Sequence, residues 1–322
     1  MNQALSALEF RGLAKTFKLG PWHKAHQALA DVTLSVTSGE IFGYLGPNGA
    51  GKTTTLKILF GLVRPQNGQI TVLGRPHADR SWRAKTGYLP ENPYLYDSLT
   101  PREYLTYAAK LSGLPSQGLA RRVDETLDLV GLGEARHRQI RTFSKGMVQR
   151  AGIAQALVGD PELVILDEPM SGLDPIGRAL VRRLILDLKS RGKTVFFSTH
   201  ILADAEILCD RVAILRAGRV VSQGPLAEIL QVDVSHMEVI CTGVVDPATL
   251  SAVEGIRVAS AAGARLHLEV QNSSLSQAIA KIESGGGRIV SVLPERKTLE
   301  EVFLDEVQGT SPNRSKVASW EA

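Results

Sequence analysis

The residues from Gly46 to Thr53, which read GPNGAGKT, carry the clearest chemical signal in this sequence. They fit the pattern G-x-x-x-x-G-K-[ST], in which a glycine-rich turn brings backbone N–H groups close to phosphate oxygens. Lys52 can reach the β- and γ-phosphates of a nucleotide, and the Thr53 hydroxyl can bind Mg²⁺. The pattern therefore predicts a site for a nucleoside triphosphate.

The sequence around this loop predicts a strand that enters it and a helix that leaves it. The apolar run from Ile41 to Leu45 precedes the loop. Behind the loop, apolar residues recur at helical spacing at Leu56, Leu59, Phe60 and Val63. Such a helix would point its positive N-terminal end at the phosphates. A glycine-rich turn without a ligand is the alternative, and the strand–loop–helix context argues against it.

Two acidic residues follow a second apolar run. Residues 163–166 are continuously apolar, as in a parallel strand buried on both faces, and Asp167 and Glu168 come next. Because ligands bind at the carboxyl ends of parallel strands, we expect both acids at the nucleotide. Asp167 suits the Mg²⁺ shell, and Glu168 suits a base that orients water. His200 ends the following strand, so we expect it to contact the γ-phosphate; a purely structural histidine is the alternative.

The pattern along the rest of the chain predicts an α/β protein with a helical insertion. Residues 8–45 are β-rich, whereas Thr100 is followed by a proline and a capping-box acid that predict the start of a helix. Another helix is predicted from Asp174, its N-cap residue, to Leu188.

A change of pattern near residue 232 predicts two domains. We expect a nucleotide-binding domain over 1–232, with a helical subdomain at about 91–158, a small α+β domain over 233–308, and a disordered tail over 309–322. In the second domain the predicted strands are 237–244, 255–260, 264–270 and 287–293, and the predicted helices are 274–284 and 297–307. That order suggests a ferredoxin-like arrangement.

The composition is that of an ordinary globular protein and excludes several classes. The chain has 322 residues, 43% hydrophobic and 22% charged, with a net charge of +4. Such a mild positive excess does not predict nucleic-acid binding. Cys209 and Cys241 have neither disulfide-framework nor zinc-site spacing. No long uncharged apolar window is present, so we expect a soluble, cytoplasmic protein.

Five motifs together resemble those of the ATP-binding cassette (ABC) ATPases, over roughly residues 8–230. They are the phosphate loop, FSKGM at 143–147, LVILDEP at 163–169, SGLD at 171–174, and His200, in family order and spacing. FSKGM departs from the commoner LSGGQ, because Lys145 replaces a glycine and Met147 a glutamine. The resemblance implies a P-loop NTPase core of ABC type with an antiparallel β subdomain and a helical signature subdomain.

Two further stretches are similar to ATPase subunits of ABC-2-type exporters. Glu91 stands where most of the ABC family has glutamine, and TLEEVFLDEV lies at 298–307. The resemblance therefore implies Mg²⁺-dependent ATP hydrolysis that powers a separate integral-membrane permease, with the chain peripheral on the inner face of the membrane. A soluble ABC-superfamily ATPase acting on a nucleoprotein complex is the alternative. A sensor that does not hydrolyse is disfavoured because Glu168 and His200 are both present.

The resemblance also implies a head-to-tail dimer with ATP between the phosphate loop of one subunit and the signature of the other. The expected ATP-binding residues are Phe17, Gly46, Asn48, Gly49, Ala50, Gly51, Lys52, Thr53, Thr54, Ser144, Gly146 and Asp174. The expected metal ligands are Thr53, Asp167 and Glu91, and the expected catalytic residues are Glu168, His200 and Lys52.

Some of these expectations keep a rival interpretation. Adenine is expected to stack on Phe17, with Trp22 as the rival and a core position for Phe17 as the alternative. Glu91 could bind Mg²⁺ through its side chain or act only through its backbone as a hinge. The run Pro93 to Tyr96 would suit docking of a partner's short helix, unless it is buried within the helical subdomain.

Overall fold

The structure of the chain is a computed structural model that describes residues 6–19, 24–230, 232–243, 246–263, 265–296 and 298–308. Trp22 and the tail from 309 lie outside the described residues. The rest falls into two compact units: the second comprises Ala227–Asp305, and the described residues before and after that range belong to the first. A short helix, α7 (Leu226–Ile229), lies at this division.

A ten-stranded sheet forms the centre of the first unit. Its strands are β1 (Ser6–Leu19), β2 (Lys24–Thr37), β3 (Ile41–Leu45), β4 (Asn67–Val72), β5 (Arg75–Pro76), β6 (Thr86–Leu89), β7 (Leu163–Asp167), β8 (Thr194–Thr199), β9 (Arg211–Arg216) and β10 (Arg219–Pro225). Their order in the sheet is β5-β4-β1-β2-β10-β9-β3-β8-β7-β6.

The two ends of this sheet differ in strand direction. Strands β1, β2, β4 and β5 pair antiparallel, whereas β6, β7, β8, β3 and β9 run parallel. Every residue of β3, β7 and β8 is buried, as their continuous apolar runs predict. Parallel strands end at the same edge, so the residues that follow β3, β7 and β8 are brought together there.

Within the described residues of the first unit, six α-helices accompany the sheet. They are α1 (Lys52–Leu59), α2 (Pro101–Leu111), α3 (Leu119–Leu129), α4 (Lys145–Leu157), α5 (Pro175–Ser190) and α6 (Leu202–Leu208). The predicted helix starts are confirmed, since Thr100 makes a capping box with Glu103, and Asp174 accepts a hydrogen bond from the Gly177 amide. The apolar pattern behind the loop had extended to Val63, but α1 ends at Leu59 because Gly61 adopts a left-handed conformation, with φ of 73°.

Aromatic packing joins the central strands to the first helix. The rings of Phe42 and Phe196, on β3 and β8, stack with centroids 5.8 Å apart. The Tyr44 hydroxyl lies 3.1 Å from the Thr55 hydroxyl of α1, and both side chains are fully buried. The phosphate loop is therefore held between a strand and a helix that share one core.

The second unit contains an antiparallel sheet with helices packed against it. Its elements are β11 (Val232–Thr242), α8 (Pro247–Ser251), β12 (Ile256–Ala262), β13 (Arg265–Gln271), α9 (Leu275–Ser284), β14 (Arg288–Arg296) and α10 (Leu299–Gln308) up to Asp305. The strand order β12-β13-β11-β14, with α8 and α9 between strands, is that of a ferredoxin-like fold. The sequence pattern missed α8, a five-residue helix capped by Asp246 that is too short to show periodicity.

Apolar side chains from both layers fill the core of this unit. Val239, Leu268 and Val270 of the sheet pack with Ala278 and Ile282 of α9, and all five are fully buried. None of the helices within the described ranges is long and apolar enough to cross a membrane.

Candidate functional site

The phosphate loop joins β3 to α1 through glycines that no other residue could replace without displacing the backbone. Gly51, the N-cap of α1, has φ of 112°, and a β-carbon there would lie 2.6 Å from the Ala28 carbonyl oxygen. A β-carbon on Gly46 would lie 2.5 Å from the Leu215 carbonyl oxygen. The loop is therefore packed against β2 and β9 at these two positions. At its tip, Asn48 and Gly49 are exposed.

The Lys52 ammonium lies folded over its own loop. It donates to the carbonyl oxygens of Gly46 at 2.7 Å and Pro47 at 3.3 Å, and its side chain is only 6% exposed. Its Nζ lies 3.2 Å from Glu168 Oε1, so the two groups form an ion pair. Within the described residues, this Oε1 atom accepts no hydrogen bond. A buried cation is thus centred at the loop, beside a buried carboxylate.

Glu168 links Lys52 to His200. Its Oε2 lies 2.8 Å from His200 Nδ1, and its side chain is 5% exposed, whereas that of His200 is 41% exposed. The Glu168 backbone is left-handed, with φ of 50°, which costs on the order of 1 kcal/mol for a residue with a β-carbon. We call Lys52, Glu168 and His200 the catalytic cluster, after the roles that the sequence predicts for them.

Ser198 holds both acids at the end of β7, a role that sequence reasoning missed. Its hydroxyl donates to Asp167 Oδ1 at 2.5 Å, and the Glu168 amide donates to the Ser198 carbonyl oxygen at 3.1 Å. The Glu168 amide also lies 3.2 Å from the Ser198 hydroxyl. Ser198 lies on β8, two residues before His200, which follows the strand. The sequence of a buried strand does not show which residue a serine in it will bond, because that depends on which strands are paired.

Asp167 is a buried carboxylate with one free oxygen. It is 1% exposed, and burial raises the pKa of its carboxyl group above the ordinary value. The Ser198 and Thr53 hydroxyls oppose this shift in pKa, whereas the negative charges of Glu91 and Glu168 add to it. Its Oδ2 has no hydrogen-bond partner among the described residues. Glu91, although exposed, is therefore close enough for its charge to act on Asp167.

The motif residues 144–146 and 171–174 form a second, exposed surface, which we call the signature surface. Ser144 is the N-cap of α4, where its hydroxyl accepts a hydrogen bond of 3.3 Å from the Met147 amide. Asp174 caps α5 and is exposed, and Gly146 is half-buried. Within the described residues, no hydrogen bond or ion pair joins Ser144, Gly146 or Asp174 to the catalytic cluster.

Comparison with known proteins identifies this arrangement. The family model described as "ABC transporter" matches residues 29–171. An uncharacterized ABC transporter ATP-binding protein of Nostoc sp. is 44% identical over 299 residues, which cover 92% of this chain and 88% of that protein. This chain belongs to the ABC transporter ATP-binding proteins. It is therefore an ABC ATPase, which binds and hydrolyses ATP.

Two further relatives of this ABC ATPase are informative. A fluoroquinolones export ATP-binding protein of Mycobacterium tuberculosis is 42% identical over 201 residues, covering 62% of this chain and 65% of that protein. Among solved structures, a dimeric post-hydrolysis state of an ATP-binding cassette bound to ADP and Pi superimposes with a TM-score of 0.62. It is 27% identical, and the match covers 68% of this chain and 98% of that one.

The donor set at Asp167 fits Mg²⁺. The free Oδ2 of Asp167 and the nearby Thr53 hydroxyl are hard oxygen donors, which Mg²⁺ prefers. In the part of the chain that the structure describes, no three His, Cys, Asp or Glu side chains form a metal-binding group by themselves. This agrees with the usual behaviour of Mg²⁺, which is bound by one or two protein ligands together with phosphate and water.

The other expected nucleotide residues of the ABC ATPase surround the loop or lie on β1. Ala50 is buried, and Thr54 is half-buried on α1. Phe17 is half-buried on β1, where the Lys15 ammonium lies 5.1 Å from its ring centroid. Phe17 is thus outside the buried core, with a cation over its ring.

The helical region of the ABC ATPase carries an aromatic groove of about 480 Å³. We call it the tyrosine groove; its main apolar lining residues are Tyr94, Tyr96, Tyr104, Tyr107 and Leu111. Tyr94 is 93% exposed and Tyr96 is 57% exposed, so these two side chains are not buried within the helical region, contrary to the alternative above.

Proposed function

We propose that this ABC ATPase binds Mg²⁺ and ATP between two copies arranged head to tail, and that ATP-driven closure and reopening of this dimer drive a separate membrane permease. The observation that carries the proposal is the division of the site. Lys52 and Glu168 of the catalytic cluster are buried and paired within one chain, whereas Ser144, Gly146 and Asp174 of the signature surface have no hydrogen bond or ion pair to that cluster within the described residues. The Ser171 backbone amide, by contrast, donates to the Glu168 carbonyl oxygen at 3.1 Å. A second copy would supply that surface to the first copy's triphosphate.

The catalytic cluster fits hydrolysis of the γ-phosphate. Glu168 would orient the attacking water and accept its proton, while the hydrogen bond from His200 fixes the carboxylate. Lys52 would exchange the carbonyl oxygens of Gly46 and Pro47 for phosphate oxygens. Because Glu168 is only 5% exposed, its carboxylate is shielded from most of the solvent.

Thr53, Asp167 and Glu91 are the residues that would hold the metal. When bound, Mg²⁺ supplies positive charge that offsets the negative charge of the phosphates. Asp167 must be ionised to bind it, and Ser198 favours that form through its hydrogen bond. Glu91 adds a full negative charge where an amide would be neutral.

The remaining loop residues, from Gly46 to Thr54, would bind the phosphates through backbone N–H groups and hydroxyls. Ser144 and Gly146 would contact the γ-phosphate from the second copy, and Asp174 would lie at the same interface. Phe17 would stack on adenine, with the Lys15 cation beside it.

The tyrosine groove is where we propose that the permease docks. Its occupant would be a short amphipathic helix, because the groove combines aromatic and aliphatic side chains with tyrosine hydroxyls and other polar groups. The Tyr96 and Tyr107 rings pack edge to face with their centroids 5.8 Å apart, so these two side chains of the groove already contact each other without a partner. The similarity to an exporter's ATP-binding protein supports export as the direction of transport.

Co-expression with its permease tests the proposal. Alone, the chain should stay in the soluble fraction, and with the permease it should sediment with membranes. Tyr94→Ser should reduce this recruitment at least about tenfold, since it removes a large apolar contact from the groove. Leu62→Ser is the matched control, because Leu62 is also an exposed apolar residue, at 69%.

Two results would contradict the proposal. Membrane binding that is equal with and without the permease would show that a protein partner does not recruit the chain. ATPase activity that is stimulated by a nucleoprotein partner and not by a permease would favour a soluble ABC ATPase instead.

A further inference from the structure

Lys145 is a signature residue whose charge has no partner among the residues that the structure describes. It is exposed at the first position of α4, between Ser144 and Gly146. Within the described residues its ammonium forms no hydrogen bond or ion pair. An unpaired lysine on a protein surface is ordinary, but the position of this side chain sets Lys145 apart.

The Lys145 side chain runs across Gly172 in the neighbouring loop. A β-carbon added to Gly172 would collide with Lys145 Nζ and would lie 2.8 Å from its Cε and 3.3 Å from its Cδ. Gly172 has φ of 67°, so the loop turns at this point in a conformation that glycine favours. The absence of a side chain at Gly172 thus makes room for the lysine.

This contact places a cation between the two segments of the signature surface. The exposed Asp174 of the same surface caps α5, and its charge acts on Arg150. Lys145 is therefore held at the exposed surface that the proposed dimer presents to a second copy.

The triphosphate site needs such a charge. Lys52 is the cation at the phosphate loop, and it is paired with the carboxylate of Glu168. Asp167 and Glu91 add further negative charge to the same edge of the sheet. A triphosphate brings several more negative charges, so a cation supplied from outside the chain would be strongly attracted to it.

We propose that Lys145 is a nucleotide-binding residue of the second copy's site: it presents its ammonium to the triphosphate across the dimer interface and makes ATP-driven closure depend on that charge. This inference rests on the proposed head-to-tail dimer. It goes beyond it by giving the signature surface of this chain an electrostatic role, in addition to hydrogen bonding by Ser144 and Gly146.

The test is ATP-driven dimerisation of the full chain, measured by sedimentation in the Glu168→Gln background so that hydrolysis does not reopen the dimer. Lys145→Gln should raise the ATP concentration for half-maximal dimerisation about tenfold at low salt, and the difference should shrink in high salt as charges are screened. Lys145→Arg keeps the charge and should remain within about twofold. Lys110→Gln, at an exposed lysine on α2, is the matched control and should change nothing.

Lys145→Gly separates charge from packing over Gly172. If charge is what matters, the Gly and Gln variants should be weakened alike. If Lys145→Gln dimerises like its parent, or if its defect is independent of salt, the inference is overturned while the dimer stands. Failure of the Glu168→Gln parent itself to dimerise with ATP would overturn the proposed dimer, and the inference with it.

Discussion

The catalytic cluster and the signature surface are opposite kinds of structure within one chain. Lys52 and Glu168 are 6% and 5% exposed, and each is bound to other groups of its own chain. Ser144, Lys145 and Asp174 are exposed, and the bonds of Ser144 and Asp174 go to the helix starts that they cap. The charges of Lys52 and Glu168 are paired within one chain, whereas the signature surface presents exposed groups to the solvent.

The contrast has a physical cause. Burying the charges of Lys52 and Glu168 is tolerable only because each neutralises the other. The signature surface pays no such desolvation penalty, so its groups can remain available. We infer that the catalytic cluster holds the reacting groups in place. The signature surface would then make the reaction depend on the assembly of two copies.

The largest effect should come from a substitution within the catalytic cluster. Glu168→Gln should lower ATP turnover at least about hundredfold, because the amide cannot accept the proton of the attacking water. ATP binding should persist, since the variant also removes the carboxylate that pairs with Lys52. Steady-state hydrolysis and equilibrium nucleotide binding, measured on the same preparation, check both parts.

Glu162→Gln is the control for this prediction. Glu162 lies just before β7 but pairs with Lys85 on the surface, where both side chains are more than half exposed, so its loss should change little. Wild-type turnover by Glu168→Gln would show that Glu168 is not the catalytic base.

The next largest effect should come from disabling the signature surface in one chain and the catalytic cluster in another. Ser144→Arg should bind ATP through its own loop but block closure on the partner, and Lys52→Ala should lose phosphate contacts. Each alone should lose about hundredfold in activity. Mixed, they should regain activity, because a mixed dimer contains one site with both an intact loop and an intact signature. Full activity of a monomer at high dilution would refute the composite site.

A smaller effect is expected at Glu91, which is exposed but whose charge acts on the buried Asp167. If its carboxylate contacts the metal, Glu91→Gln should raise the Mg²⁺ concentration for half-maximal ATPase activity a few-fold and leave turnover at saturating Mg²⁺ nearly unchanged. Glu134→Gln, at an exposed acid of the helical region, should leave the curve in place. Superimposable curves for Glu91→Gln and wild type would mean that Glu91 acts through its backbone as a hinge.

The smallest effect distinguishes capping from contact at Asp174. Asp174→Ala should reduce stability by about 1 kcal/mol in chemical denaturation, because the N-cap of α5 is lost, whereas Asp174→Asn should keep the cap. If Asp174 also acts across the dimer, the Asn variant should lose dimerisation without losing stability. Identical dimerisation by wild type and the Asn variant would limit Asp174 to its cap.

The sequence determined those parts of the protein whose signals are local. The phosphate loop is specified by glycines and a lysine at fixed spacing, and the helix starts at Thr100 and Asp174 by residues within one turn of each cap. The acids at the end of β7 could be assigned to the site because buried parallel strands end at a common edge. The pattern also indicated the four strands of the second unit and the helix over residues 274–284, but not α8, which lacked enough residues to show a period, and not the order of the strands in the sheet.

Only the tertiary structure decided which of these residues meet. Ser198 bonds Asp167 because β7 and β8 are neighbours in the sheet, and the Lys52–Glu168 pair exists because the loop after β3 ends at the same edge. Lys145 could be seen as a departure from a motif, but its passage over Gly172 depends on how two separate loops pack. Spacing along a chain fixes neighbours within an element, whereas contacts between elements depend on burial and strand order, which no local pattern encodes.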